Sequence, residues 1–192
     1  MEKLIKKYIK KDDKDLLHDI RVYARKELAK LEAEGKIDKG LKKLLKKSSP
    51  IRDIDVLLDI CKDKEVEKYL KKKKRKLREK LVKFLKDLKR EVFPLHKKKI
   101  DKNRCFEVLR ESFLGKNDEE LHKIRVVVKK CRYAYNMDLK KIQDFLGKAH
   151  DFYNCEKLLE KFGKKRKKVQ KKKLKFIKKA EKERLNLIST LH

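Results

Sequence analysis

One ten-residue phrase occurs twice in this chain of 192 residues, and it restricts the fold more than any other feature. It reads LHDIRVYARK at 17–26 and LHKIRVVVKK at 121–130. Leu, His, Ile, Arg, Val and the final Lys match, and the ninth position is basic in both (Arg25, Lys129). On an α-helix, at about 100° per residue, His18, Arg21 and Arg25 fall within about 60° of one another. His122, Arg125, Lys129 and Arg132 make the matching row. The adjoining face carries Leu17, Ile20, Ala24, Leu28 and Leu31 in one copy, and Leu121, Ile124, Val128, Cys131 and Tyr135 in the other. Each helix therefore has an apolar stripe for a core and a row of cations beside it. Imidazole, guanidinium and ammonium groups in a row suit the binding of several phosphates at once.

Composition supports helices throughout. Gly (5) and Pro (2) are scarce and Trp is absent, which favours an all-α protein with short connections. With 39% hydrophobic and 48% charged residues, a core forms only if the apolar side chains are sorted strictly inward. Lys+Arg 62 against Asp+Glu 31 gives a net charge of +31. A heat-adapted surface would raise both signs together. A twofold excess of one sign points instead to polyanions: nucleic acid, anionic lipid or inorganic phosphate polymers. The four cysteines (Cys61, Cys105, Cys131, Cys155) form no C-x-x-C pair. They read as small buried apolar residues of a reducing compartment rather than metal ligands. No secretory leader and no apolar run of about 20 residues is present, so a soluble, cytoplasmic protein is expected.

Along the chain, the pattern predicts helices over 1–11 and 14–34, with Gly35 ending the second and GKIDKG forming a turn. A further piece is expected at 41–47, then a new helix capped by Ser48 or Ser49 with Pro50 in its first turn. One long helix is expected over 64–93, stopped by Pro94, and others over 97–114, 119–136 and 139–162. A last one, to about 191, turns Val169, Phe176, Ala180, Leu187 and Leu191 inward. The repeat extends beyond the phrase: SSPIRDIDVLLDIC aligns with LGKAHDFYNCEKLL, setting Arg52-Asp53 against His150-Asp151. The single domain 1–192 thus divides into halves 1–95 and 96–192, of three or four helices each, related by an approximate twofold.

These elements resemble the CHAD family, the conserved histidine α-helical domain, over essentially the whole chain. The resemblance rests on LHDIRVYARK with RDIDVLLD, and on LHKIRVVVKKCRYAY with LGKAHDFYNCEKLL. It implies two antiparallel helical bundles in pseudo-twofold arrangement with a basic central groove. It also implies binding of inorganic polyphosphate rather than catalysis. His18, Arg21 and Arg25 match the first motif, and His122, Arg125, Lys129 and Arg132 the second. Arg52 belongs to the matching Arg-Asp-x-Asp element, where the second half departs with His150 and Tyr153. Some members carry a CYTH triphosphatase domain. This chain has no room for one, so it resembles the module standing alone.

The residue chemistry agrees with a phosphate chain as ligand. Such a chain has no bases to stack, and aromatics are only 7% of the sequence, with none on the cationic rows. Arg forks onto adjacent phosphate oxygens, Lys adds reach, and His adds a proton switch near neutrality. Affinity is expected to grow as pH falls from about 8 to about 6. A non-specific nucleic-acid binder is the competing reading, but basics interleaved with aromatics and a known recognition motif are both missing. An enzyme would need an activated nucleophile, an acidic cluster for Mg²⁺ or a Glu-x-x-His pair, and none occurs. No cofactor, no metal and no membrane partner are expected. Association with polyphosphate granules is one use such binding would have.

Overall fold

The computed structural model describes residues 1–95, 102–135 and 137–189. Among these residues the chain is mostly helical, with eight helices and one two-stranded sheet. None of those helices is long and apolar enough to cross a membrane. The chain divides into two compact units, Met1–Lys97 and Lys98–His192.

In the first unit, α1 (Glu2–Lys10) leads into α2 (Lys14–Ala33), which carries the first phrase. Asp13 caps α2: its carboxylate accepts from the Asp15 and Leu16 amides at 2.9 and 3.2 Å. This satisfies donors that the first helical turn leaves without partners. Asp38 and Asp63 cap α3 (Lys39–Ile60) and α4 (Lys64–Lys86) in the same way. The predicted stripe of α2 is buried from Leu17 through Ile20 and Ala24 to Leu28, packed with Tyr8, Leu41, Leu44, Ile51 and Leu81. Each such leucine or isoleucine stabilises the unit by about 1.5–3 kcal/mol relative to exposure.

Two expectations fail here. The predicted break before Ser48–Pro50 is absent, and α3 runs unbroken with Pro50 inside it. Proline removes the amide that would bond the Lys46 carbonyl and crowds that oxygen. Burial of Leu44 and Ile51 on either side holds the helix together across the fault. The Ser48 and Ser49 hydroxyls, expected as caps, donate back to the Leu45 carbonyl at 3.3 and 2.9 Å. The predicted helix over 64–93 also stops early, at Lys86. Beyond it, β2 (Val92–Pro94) pairs antiparallel with β1 (Lys36–Asp38), so GKIDKG is half strand rather than turn alone. The fully buried Asp38 explains the departure: Arg90 donates to its second oxygen at 2.7 Å, which requires the chain to double back. Gly40 permits the approach, since a Cβ there would overlap the Lys89 carbonyl oxygen.

The second unit holds α5 (Lys102–Arg110), α6 (Asp118–Tyr135) with the second phrase, α7 (Lys140–Lys161) and α8 (Lys167–Ser189). The expected helix starts near 97 and Ile100, and the expected ends at 136 and 191, lie outside the described residues. Leu121, Ile124, Val128 and Cys131 pack with Phe113, Leu139, Ile142 and Leu146. Cys131 bonds to Cys105, with Cα atoms 5.8 Å apart, joining α6 to α5. The reading of these cysteines as reduced is thereby corrected. Spacing rules look for close pairs, whereas these two meet through helix packing. A buried disulfide suits an oxidising compartment or a heat-adapted cell. On α8, the inward face is not purely apolar: Glu181 and Arg184 are buried beside Ile177 and Ala180.

The four helices of the two units correspond in order and closely in length, while the β1–β2 pair occurs in the first unit. Helix lengths run 9, 20, 22 and 23 residues in the first and 9, 18, 22 and 23 in the second. In each, an arginine of the last helix caps the C-terminus of the first. Arg78 donates to the Tyr8 and Ile9 carbonyls at 3.1 and 3.2 Å. Arg184 donates to those of Leu109 and Arg110 at 2.9 and 3.3 Å. A lysine of the last helix then ties the third helix to the second helix or to the link just before it. Lys74 meets Asp55 at 2.9 Å and Asp12 at 3.5 Å, while Lys173 meets Asp118 and Glu156, each at 2.8 Å.

Candidate functional site

In the first unit, α2 and α3 bring Arg25 and Arg52 within electrostatic reach of Arg21. Arg21 reaches across to α3. Its Nη1 donates to the Leu45 carbonyl at 3.0 Å and to Ser48 Oγ at 2.6 Å, and its Nη2 donates to Ser49 Oγ at 3.2 Å. Its buried Nε meets no hydrogen-bond acceptor among the described residues. Burial, followed by the nearby charge of Arg25 and that of Arg52, pushes the guanidinium down to about 10, with Asp53 opposing. A cation held in so uncomfortable a setting gains from any anion that approaches it. Arg25 is exposed and donates from Nε to the Arg21 carbonyl at 3.2 Å. His18 is exposed on the turn before Arg21, and Arg52 is half-buried.

In the second unit the equivalent cluster is built from imidazoles. The His122 and His150 rings lie 4.9 Å apart between centroids, tilted by 41°, with Tyr153 beyond at 6.1 Å from His150. Burial, then the charge of Arg125, then His122, pushes His150 down to about 4, with Asp118 opposing. The neutral imidazole is thereby favoured at pH 7, and a bound anion would favour the imidazolium. Arg125 lies over Gly147, where an added Cβ would sit 3.7 Å from its Nη1. The two arginines thus land on matching positions. Ser49 and Gly147 differ by 147 − 49 = 98, the offset that also separates Asp53 from Asp151, 151 − 53 = 98. Arg132 turns toward α7, its Nη1 at 3.4 Å from Gln143 Oε1, and its guanidinium covers Tyr133 at 5.3 Å. Lys129 and His122 are exposed.

The structure therefore gathers Arg21, Arg25 and Arg52 into one cluster and His122, Arg125 and His150 into another. Arg132 is engaged with α7 instead. His150 is the member that site prediction omitted, although its alignment with Arg52 was the available signal. Ser48, Ser49 and Gly147, on which the arginines rest, carry no chemical signature in the sequence. Among the described residues no group of three or more His, Cys, Asp or Glu side chains could hold a metal ion. Guanidinium and imidazole groups so placed can donate charged hydrogen bonds to phosphate oxygens. Comparison of the chain with protein-family models, curated proteins and solved structures finds no match.

Proposed function

We propose that the protein binds inorganic polyphosphate without chemical change, through the Arg21–Arg25–Arg52 and His122–Arg125–His150 clusters. The observation that carries this reading is the state of Arg21. Arg21 is half-buried within electrostatic reach of Arg25 and Arg52, its guanidinium is pushed down by that burial, and its Nε is left without an acceptor among the described residues. Two like charges about 7 Å apart repel by roughly 2.4 kcal/mol at an effective dielectric of about 20. A chain of phosphates, each about singly charged, relieves that repulsion at several cations together, which a monomeric phosphate does not. The proposal asks the two clusters only to bind the phosphates and assigns no cleavage step to their imidazoles. The CHAD architecture, two antiparallel bundles in pseudo-twofold relation around a basic groove, belongs to the same proposal. Its support is the repeated order and length of the helices and the shared 98-residue offset. Non-specific nucleic-acid binding is the second reading, favoured only by the net charge of +31.

Competition at physiological salt separates them. Long-chain polyphosphate is expected to displace labelled duplex DNA at a far lower phosphate concentration than DNA displaces polyphosphate. Arg25→Gln and Arg52→Gln each remove a charged hydrogen bond of about 1.5–3 kcal/mol, or roughly a 10- to 100-fold loss in polyphosphate affinity. Equal displacement by the two polymers, with neither substitution mattering, returns the protein to general electrostatic binding.

A further inference from the structure

The solvent face of α8 carries a second concentration of charge, on residues that belong to neither cluster. Lys168, Lys172, Lys175, Lys179 and Lys182 follow one another at three- and four-residue intervals, with Lys171 and Lys178 alongside. At about 100° and 1.5 Å per residue they occupy roughly 120° of the helix and about 21 Å of its length. They point away from Ile177, Ala180 and Arg184, which face the core. No acid interrupts the row. Glu181 is turned inward onto Arg184 and Ser112, and the Glu183 carboxylate meets Lys141 of α7. Neighbouring lysines three and four residues apart repel along the whole face. Among the described residues none of the seven is paired with a carboxylate, in contrast to Lys173 on the inner side.

The face is also organised rather than loose. Phe145 and Phe152 of α7 stack on Phe176 of α8, with centroids 6.3 and 5.6 Å away. The Lys179 ammonium lies 5.6 Å from the Phe145 centroid and that of Lys172 lies 5.8 Å from Phe152. These ammonium groups are held close to the helix surface instead of extending into solvent. The spaces between the lysine stems are open to solvent, and Leu174 is exposed among them. A ligand that reaches the retracted ammoniums must itself be narrow and must follow a straight, convex rod.

We propose that this lysine face is a second contact for a narrow linear polyanion, namely the polyphosphate chain, and that it makes affinity depend on chain length. The inference rests on the proposed polyphosphate binding and extends it from the arginine and histidine clusters to α8. A triphosphate that occupies one cluster gains nothing from α8, whereas a long chain gains contacts with both. Lysine alone, without arginine forks, contributes point charges and no geometric selectivity, as a track for a uniform polymer requires. The rings beneath the lysines are half-buried (Phe145, Phe176) or buried (Phe152) and stack on one another, so they offer bases no open platform, which disfavours single-stranded nucleic acid.

The test is binding of triphosphate, long-chain polyphosphate and duplex DNA to the full chain across a salt series. The comparison is with a variant carrying Lys171→Gln, Lys175→Gln, Lys178→Gln and Lys182→Gln, which leaves Lys172 and Lys179 on their rings. Retained helicity by circular dichroism and an unchanged or higher Tm show that the variant folds. At about 0.7 counterions per lost phosphate contact, the slope of log K against log salt for the long polymer should fall by about 3. Triphosphate affinity should stay as it was. An identical slope and affinity for the long chain would overturn the proposal while leaving the clusters as the site. A loss confined to DNA would overturn it in favour of a nucleic-acid contact. No polyphosphate binding by the unaltered protein would remove the functional reading and this inference together.

Discussion

His150 makes the stability of the second unit depend on pH in a window where few other groups act. In the folded chain burial, Arg125 and His122 hold its imidazole down at about 4, whereas its ordinary value is 6.5. Between those values the unfolded chain takes up a proton that the folded one refuses. Stability is therefore fully present above about pH 7 and is lost as pH falls from there toward 4. At pH 5 the difference amounts to at most about 2 kcal/mol, an upper figure because the ring is only half-buried. For a unit of this size, that is a fall in Tm of roughly 8–16 °C. Carboxylates held low by hydrogen bonds and ion pairs, such as Glu181 and Asp13, lose their contribution mainly below their ordinary 4.5 and 3.8, so they contribute little to the change between pH 8 and pH 5. Differential scanning calorimetry at pH 8 and pH 5 should show the fall in the parent protein and little of it in His150→Gln. Long-chain polyphosphate should restore more Tm at pH 5.5 than at pH 8, because bound phosphates favour the imidazolium. Parallel loss of Tm in parent and variant would refute the placement of His150 against Arg125 and His122.

Two predictions concern the scaffold. Gly40→Ala forces a methyl group onto the Lys89 carbonyl, and displacing that backbone should cost about 1–3 kcal/mol or more. An unaltered denaturant midpoint would show that the segment before β2 does not pack on α3. Glu181→Ala strands the buried Arg184, which the carboxylate holds at 2.6 and 2.9 Å, for an expected loss of about 3–5 kcal/mol by urea unfolding. Replacing both by Leu and Met should recover most of that loss, and equal damage from the single and double changes would contradict the pairing.

Helical periodicity was easy to read where one face is apolar and nothing interrupts it. The stripes of α2 and α6 lie in the core as the two phrases imply. Interruptions were harder. Pro50 and two serines look like a helix start, yet burial of Leu44 and Ile51 outweighs the local signal. The stripe through Val92 continues the pattern of α4, but Val92 is exposed on β2, because buried Asp38 draws Arg90 back to itself. Both cases are tertiary demands overriding a local preference. The burial of Glu181 and Arg184 has the same kind of cause: they pair with each other and with backbone groups at and just after the end of α5, which no spacing rule reveals. At the candidate site the cationic rows were legible from spacing alone. Burial was not, and it is burial that separates Arg21 from Arg25 and turns His150 from a departure in the motif into a member of the cluster.

Crystals of the protein grown with a short linear polyphosphate address the central claim most directly, because phosphorus positions can be read against individual guanidiniums. The account predicts density for consecutive phosphates against Arg21, Arg25 and Arg52, or against Arg125, His122 and His150, with Arg21 Nε donating to an oxygen. Phosphate density confined to lysine side chains elsewhere, with both clusters unchanged and without ligand, would contradict it.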